Sequence, residues 1–136
     1  GTVGTSSRMD ATVISDTVNA AARVESMTKA FATKILITEE TKKDLSDLNK
    51  YRIRYIASCR IQGKSKPVTL YEVFNNDTLS LQREKLQNQS LMIQAWKAYK
   101  DGDSARAIQM YQRLIEKSPH DKSLFALIER CQSGRL

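Results

Sequence analysis

Residues 51–62 alternate in polarity with a period of two, and the residues after them make that alternation one arm of a hairpin. Tyr51, Ile53, Tyr55, Ala57, Cys59 and Ile61 fall on one side; Arg52, Arg54, Ser58, Arg60 and Gln62 fall mostly on the other. A strand with one face on a core has this pattern. Gly63-Lys64-Ser65-Lys66-Pro67 supplies the turn, and VTLYEVF at 68–74 the return strand.

The segments before the hairpin are mixed in type. Residues 1–15 read as two short extended pieces around a turn at Gly4–Ser7, the better strand being Ala11–Ile14. Ser15 or Asp16 caps a helix to about Ala30, with Ala20, Val24, Met27 and Phe31 as its buried stripe and Asn19, Arg23 and Ser26 as a neighbouring polar one. KILIT at 34–38 is a short β-branched run that predicts a fully buried strand. Thr38 then caps a short helix at 39–45, without the reciprocal Glu of a capping box.

Beyond Asn75-Asn76-Asp77 the period changes to that of helices, at about 78–100, 104–117 and 119–132. Gly102 breaks the first pair, and Pro119 suits a first helical position. The chain therefore divides into a mixed part, 1–76, and a helical part, 77–136. The fold class expected is α+β, with an all-α end.

Composition narrows the function classes. With 40% hydrophobic and 27% charged residues, the chain is globular in character. It has no apolar run near the roughly 20 residues that span a bilayer, and no leader opens it, so a cytoplasmic location is expected. Cys59, Cys131 and the single His120 lack the spacing of a zinc site or of a thiol paired with its base; the cysteines read as small buried thiols and His120 as a solvated turn residue. The net charge of +7 is spread, with 12 basic and 8 acidic residues in 1–76 and 10 and 7 in 77–136. That spread speaks against a nucleic-acid face. One local cluster, Lys50, Arg52, Arg54, Arg60, Lys64 and Lys66, has no acid from 48 to 71 and suits a small polyanion such as a triphosphate.

The run MDATVISDTVNAAARVESMTKAF at 9–31 contains Asp16-Thr17-Val18-Asn19-Ala20-Ala21-Ala22-Arg23, a strand leading into a helix, and IQGKSKPVTLYEV follows at 61–73. In that order these resemble the signature helix and closing hairpin of the class III nucleotidyl cyclases, over about residues 1–76. Ala11 stands where the family typically has glycine after Met9-Asp10. The resemblance implies the C-terminal half of a ferredoxin-like cyclase domain. Its chemistry is conversion of ATP to cyclic AMP and pyrophosphate, by attack of the ribose 3′-hydroxyl on the α-phosphate.

Asn19 and Arg23, at i and i+4, share one helical face. The resemblance makes Asn19 the residue that orients the ribose and Arg23 the one that stabilises the transition state; an exposed polar stripe, with Arg23 paired to a carboxylate, is the plain alternative. Thr12, seven residues before Asn19, falls where the family reads the purine. A threonine there can accept a hydrogen bond from the adenine amino group, and is similar to a Thr-type bacterial subgroup, several members of which respond to bicarbonate. Lys64 falls where the family places a lysine on the β- and γ-phosphates, and Lys66 could substitute for it.

The family's two metal aspartates, for Mg2+ or Mn2+, and its adenine-partner lysine precede the matched segment; Asp10, Asp44 and Asp47 do not lie in its metal motifs. The resemblance also implies a site shared across a homodimer. A chain starting mid-strand is expected to be a truncated piece, inactive alone, whose bare sheet edges pair with a second copy, elements exchanged between them. The rival reading is a non-catalytic cyclase-like module acting as a scaffold.

Residues 90–122 resemble a single tetratricopeptide repeat, through Ala95, Gly102, Ala107, Tyr111 and Pro119, with Leu114 in place of a usual small residue. The last helix, with Leu124, Leu127, Ile128 and Cys131 on one face, would cap the pair. A lone repeat is too short for a concave peptide-binding surface, so a structural or dimer-contacting tail is expected. Trp96 reads as packing.

Overall fold

A computed structural model of the chain describes residues 27–60 and 65–136. These residues form a mixed α+β structure: a three-stranded antiparallel sheet and a set of helices that share one hydrophobic core with it. The strands are β1 (Leu36–Thr38), β2 (Ile53–Cys59) and β3 (Val68–Val73). They lie in the order β1-β3-β2, so the last strand in sequence is central. The expected hairpin is β2 and β3, closing with Cys59 opposite Val68.

Helical residues 27–30 lead into Ala32, whose φ of 53° ends the helix. Thr33 N–H reaches back to the Thr28 carbonyl across that end, as in a left-handed helix stop. Met27 packs against the core and Phe31 is fully buried, which fixes the C-terminal end of the stripe read from the sequence. Ala20 and Val24 lie outside the described residues. Strand β1 is shorter and less buried than its composition predicts: Leu36 is buried, Ile37 and Thr38 are half-buried and Ile35 is exposed. Among the described strands it lies at the edge of the sheet.

Thr38 does cap α1 (Glu39–Asp44), its hydroxyl accepting from Thr41 N–H at 3.1 Å; such a cap contributes about 1 kcal/mol. A single 3₁₀ turn, Leu48–Lys50, then delivers the chain to β2.

The expected 78–100 helix is two, α2 (Leu79–Gln87) and α3 (Gln89–Lys100), joined at a buried Asn88. Helix α4 (Ser104–Lys117) follows a turn in which Gly102 has φ of 91°. It buries Ala107, Tyr111 and Leu114, one helical stripe, against Ala95 and Met92 of α3. The last helix, α5 (Lys122–Gln132), buries Leu124, Leu127 and Cys131. It starts later than Pro119 suggests: Asp121 stands at its N-cap and Pro119 is an exposed turn residue. Cys59 and Cys131 are both buried free thiols, and His120 is exposed.

Candidate functional site

Four side chains carry the expected chemistry, Thr12, Asn19, Arg23 and Lys64, and all four lie outside the described residues. What the described residues provide is the frame beside them. Phe31 anchors the end of the helical segment in the core, and the paired strands β2 and β3 hold the two ends of the connection between Cys59 and Val68.

The frame contains a polar feature that alternation along β2 predicts wrongly. Arg54, placed on the solvent side by the period-two pattern, is 1% exposed, and Ile56 beside it is equally buried. The cause is a bulge. Tyr55 pairs with Tyr71 but Ala57 pairs with Leu70, so Ile56 is an extra residue on β2. An extra residue flips the facing of everything on one side of it. Ala57 and Cys59 point inward after the bulge, as expected; before it, Arg54 takes the inward position, opposite Glu72.

A buried cation is tolerable only when paired and hydrogen-bonded. Arg54 meets that demand with four of its five N–H donors. Its Nε donates to Glu72 Oε1 at 2.6 Å, while Nη1 and Nη2 donate to the two oxygens of Asp121 at 2.6 and 2.9 Å. Nη1 also approaches Met92 Sδ at 3.2 Å. Lys85, on α2, donates to both oxygens of Glu72 at 3.2 Å and to Asp77 at 2.5 Å. Burial by itself works against the guanidinium's charge. The Asp121 and Glu72 carboxylates outweigh it and hold the Arg54 pKa above its ordinary value, so Arg54 is a cation at any working pH.

This removes Arg54 from the basic cluster that suits a polyanion. Lys50, Arg52, Arg60 and Lys66 are exposed and remain available; Lys64 is outside the described residues. Reading Glu72, Asp77, Lys85 and Asp121 as a set was beyond the sequence, since they are distant in it and meet only through the bulged register. A faint signal existed in Glu72, the lone acid of the β3 strand.

The opposite sheet face is half-buried and carries hydroxyls. Tyr55 Oη, Ser58 Oγ and Thr69 Oγ1 form a chain at 2.9 and 2.8 Å. Tyr71 Oη donates to Glu39 at 2.6 Å, with the Lys42 ammonium 4.2 Å from the ring centre. Burial pushes the Tyr55 and Tyr71 phenols up to about 12, which makes them poor bases at neutral pH. Trp96 packs edge-on against Tyr55 at 5.5 Å, in keeping with a packing role.

Among the described residues no group of three or more His, Cys, Asp or Glu could hold a metal ion. The buried carboxylates are engaged by Arg54 and Lys85, so these residues do not fit a divalent cation. None of the described helices is long and apolar enough to cross a membrane.

No protein-family profile matches the chain, and no solved structure matches it. Three curated proteins are similar to it. One, from Dictyostelium discoideum and named "Adenylate cyclase, terminal-differentiation specific", is 32% identical over 96% of the chain, which spans 6% of that protein. "Adenylate cyclase" from Anabaena cylindrica is 45% identical over 54% of the chain and 15% of its own length. "Adenylate cyclase 1" from Rhizobium meliloti (strain 1021) is 33% identical over 54% of the chain and 11% of its own length. The chain thus corresponds to a small part of each relative, and these relatives support an adenylate cyclase family for it.

Proposed function

We propose that this chain is the Asn/Arg-bearing part of an adenylate cyclase catalytic domain, whose full-length parent converts ATP to 3′,5′-cyclic AMP and pyrophosphate. The observation that carries the reading is the Asp16–Arg23 motif followed in order by a hairpin, in a chain whose similar proteins are named adenylate cyclase. In support, Met27 and Phe31 face the core. An ideal helix over the motif would set Asn19 and Arg23 on one face, on average about 80° round from that stripe.

In this reading Asn19 fixes the ribose so that its 3′-oxygen lies in line with the α-phosphate, and Arg23 neutralises charge that grows on the phosphoryl oxygens. The Thr12 hydroxyl accepts from the adenine amino group, favouring ATP over GTP. Lys64, with Lys66 beside it, holds the β- and γ-phosphates. The Mg2+ or Mn2+ ions implied by the family would be held by residues outside this chain, which on its own is then inactive. The site forms across a homodimer, and the 136 residues alone pair with a second copy. The helical end, a tetratricopeptide-like repeat, is structural or dimer-contacting in role.

The test restores the preceding half of the domain and measures cyclic AMP formation. Asn19→Ala and Arg23→Ala should each lower turnover by about 10²–10³-fold, as losing one oriented transition-state donor does. Full turnover in both variants would sink the site assignment. A restored wild-type protein that makes no cyclic AMP would favour the scaffold reading. Scattering from the 136-residue chain should report a dimer; a monodisperse monomer would refute the pairing.

A further inference from the structure

The two parts of the chain, 1–76 and 77–136, are joined by more than a linker. Asp121 is the N-cap residue of α5, yet its side chain makes no cap hydrogen bond. An aspartate at that position ordinarily accepts from the first helical N–H groups. Here both carboxylate oxygens turn to Arg54 instead, at 2.6 and 2.9 Å, with Asp121 2% and Arg54 1% exposed.

The contact is one of several across the same boundary. Glu72 of β3 is shared between Arg54 and Lys85 of α2. Gln89 at the start of α3 donates to the Ile53 carbonyl at 3.0 Å. Ser123 of α5 donates to the Ala32 carbonyl at 3.3 Å. Trp96 of α3 stands against Tyr55 of β2. The buried core is likewise continuous from Phe31, Ile56 and Leu70 to Tyr111, Leu124 and Leu127. Similarity to the Dictyostelium discoideum protein runs over 96% of the chain, so both parts occur together there.

We infer that the Arg54–Asp121 contact is a latch that makes sheet and helical tail one cooperative unit, in which Asp121 is the positioning residue for strands β2 and β3. Displacing the first turn of α5 strips Arg54 of its two-pronged partner and leaves it only Glu72 and the Met92 contact. That state is costly, so movement of the tail must be transmitted to the hairpin. The tail is a handle on the sheet, through which an event at the helical end can reach β2 and β3. The inference does not depend on the activity proposed above.

The test uses the whole 136-residue chain. Urea unfolding is followed by the fluorescence of Trp96, the single tryptophan, which reports helix-on-sheet docking, and by far-ultraviolet circular dichroism, which reports the helices. Coincident transitions are expected in the wild type; a helical transition separate from the fluorescence change would overturn the latch whatever the variants do. In Asp121→Asn, hydrogen exchange of amides in 53–59 and 68–73 should accelerate at least about tenfold, together with 122–132. Lys122→Ala, an exposed neighbour, should leave both unchanged. Faster exchange in 122–132 with the strands as protected as in the wild type would show a tail that moves independently, and the proposal would fall.

Discussion

Truncating Asp121 to alanine should be among the most damaging single changes in this protein, and the structure says roughly by how much. The carboxylate accepts two charge-assisted bonds from a guanidinium that is 1% exposed. Without it Arg54 keeps its bond to Glu72 and the contact with Met92, but Nη2 loses its carboxylate acceptor. Proton loss offers no escape, because a guanidinium stays protonated in proteins. Breaking a buried pair in this way costs about 3–5 kcal/mol, a large part of the roughly 5–15 kcal/mol that holds a domain of this size folded. Arg54→Met, which leaves Asp121 buried and uncompensated, should cost a similar amount. The double variant removes one charge of each sign and leaves Glu72 with Lys85. It should therefore be less destabilised than the sum of the singles by about 2 kcal/mol or more. Urea midpoints at unchanged slope, read for all four proteins, give the coupling directly. Single losses below about 1 kcal/mol, or additivity within about 0.5 kcal/mol, would refute the reasoning.

Three further outcomes follow from individual side chains. Tyr111 is fully buried and its hydroxyl has no hydrogen-bond partner; Tyr111→Phe should raise the thermal midpoint, by a gain of about 1 kcal/mol, and a clear loss instead would mean the hydroxyl is satisfied. Gly102 has φ of 91° with nothing near a would-be Cβ; Gly102→Ala should cost about 1–2 kcal/mol of urea stability through backbone strain alone, and a neutral result would argue against that turn geometry. Burial pushes the Cys131 thiol up to about 11. Its raised pKa contributes stability that is fully present below the ordinary thiol range and lost as pH climbs from there through 11. The fall in urea midpoint over that window should shrink in Cys131→Ala, and an identical profile would contradict the shift.

Much of the fold was legible because its periods are local. Helix α4 begins and ends where the sequence indicates, since Gly102 and Asp103 punctuate one side and Ser118-Pro119 the other. Thr38 was readable as a cap because capping depends on four consecutive residues. The misreadings come from information that is not local. Facing along β2 depends on a bulge at Ile56, and nothing in YRIRYIASC marks an unpaired residue. The start of α5 lies beyond Pro119, after a turn at 119–120, and the Asp121 carboxylate there is turned to Arg54, 67 residues away. Ile35 and Ile37 read as buried by type, but among the described strands β1 lies at an edge, which depends on strand order. The chemistry is different again: Thr12, Asn19, Arg23 and Lys64 were singled out by motif order, and the described residues leave them untouched.

Burial of Arg54 also changes what the charge pattern means. Six basic residues without an intervening acid, from 50 to 66, read as one surface for a polyanion. Register splits that run. Arg54 faces inward to two carboxylates supplied from beyond it, Glu72 and Asp121, and contributes to folding rather than to attraction. The exposed remainder divides between the start of the hairpin, Lys50 and Arg52, and its connecting end, Arg60 and Lys66. Seven strand residues at about 3.4 Å each separate those ends by more than 20 Å, more than two Debye lengths at physiological salt. A small anion cannot be held by both. With Lys64 in the phosphate-holding role proposed above, the triphosphate sits at the connecting end, and charge reversal at Arg60 or Lys66 should weaken its binding where the same change at Lys50 or Arg52 does not.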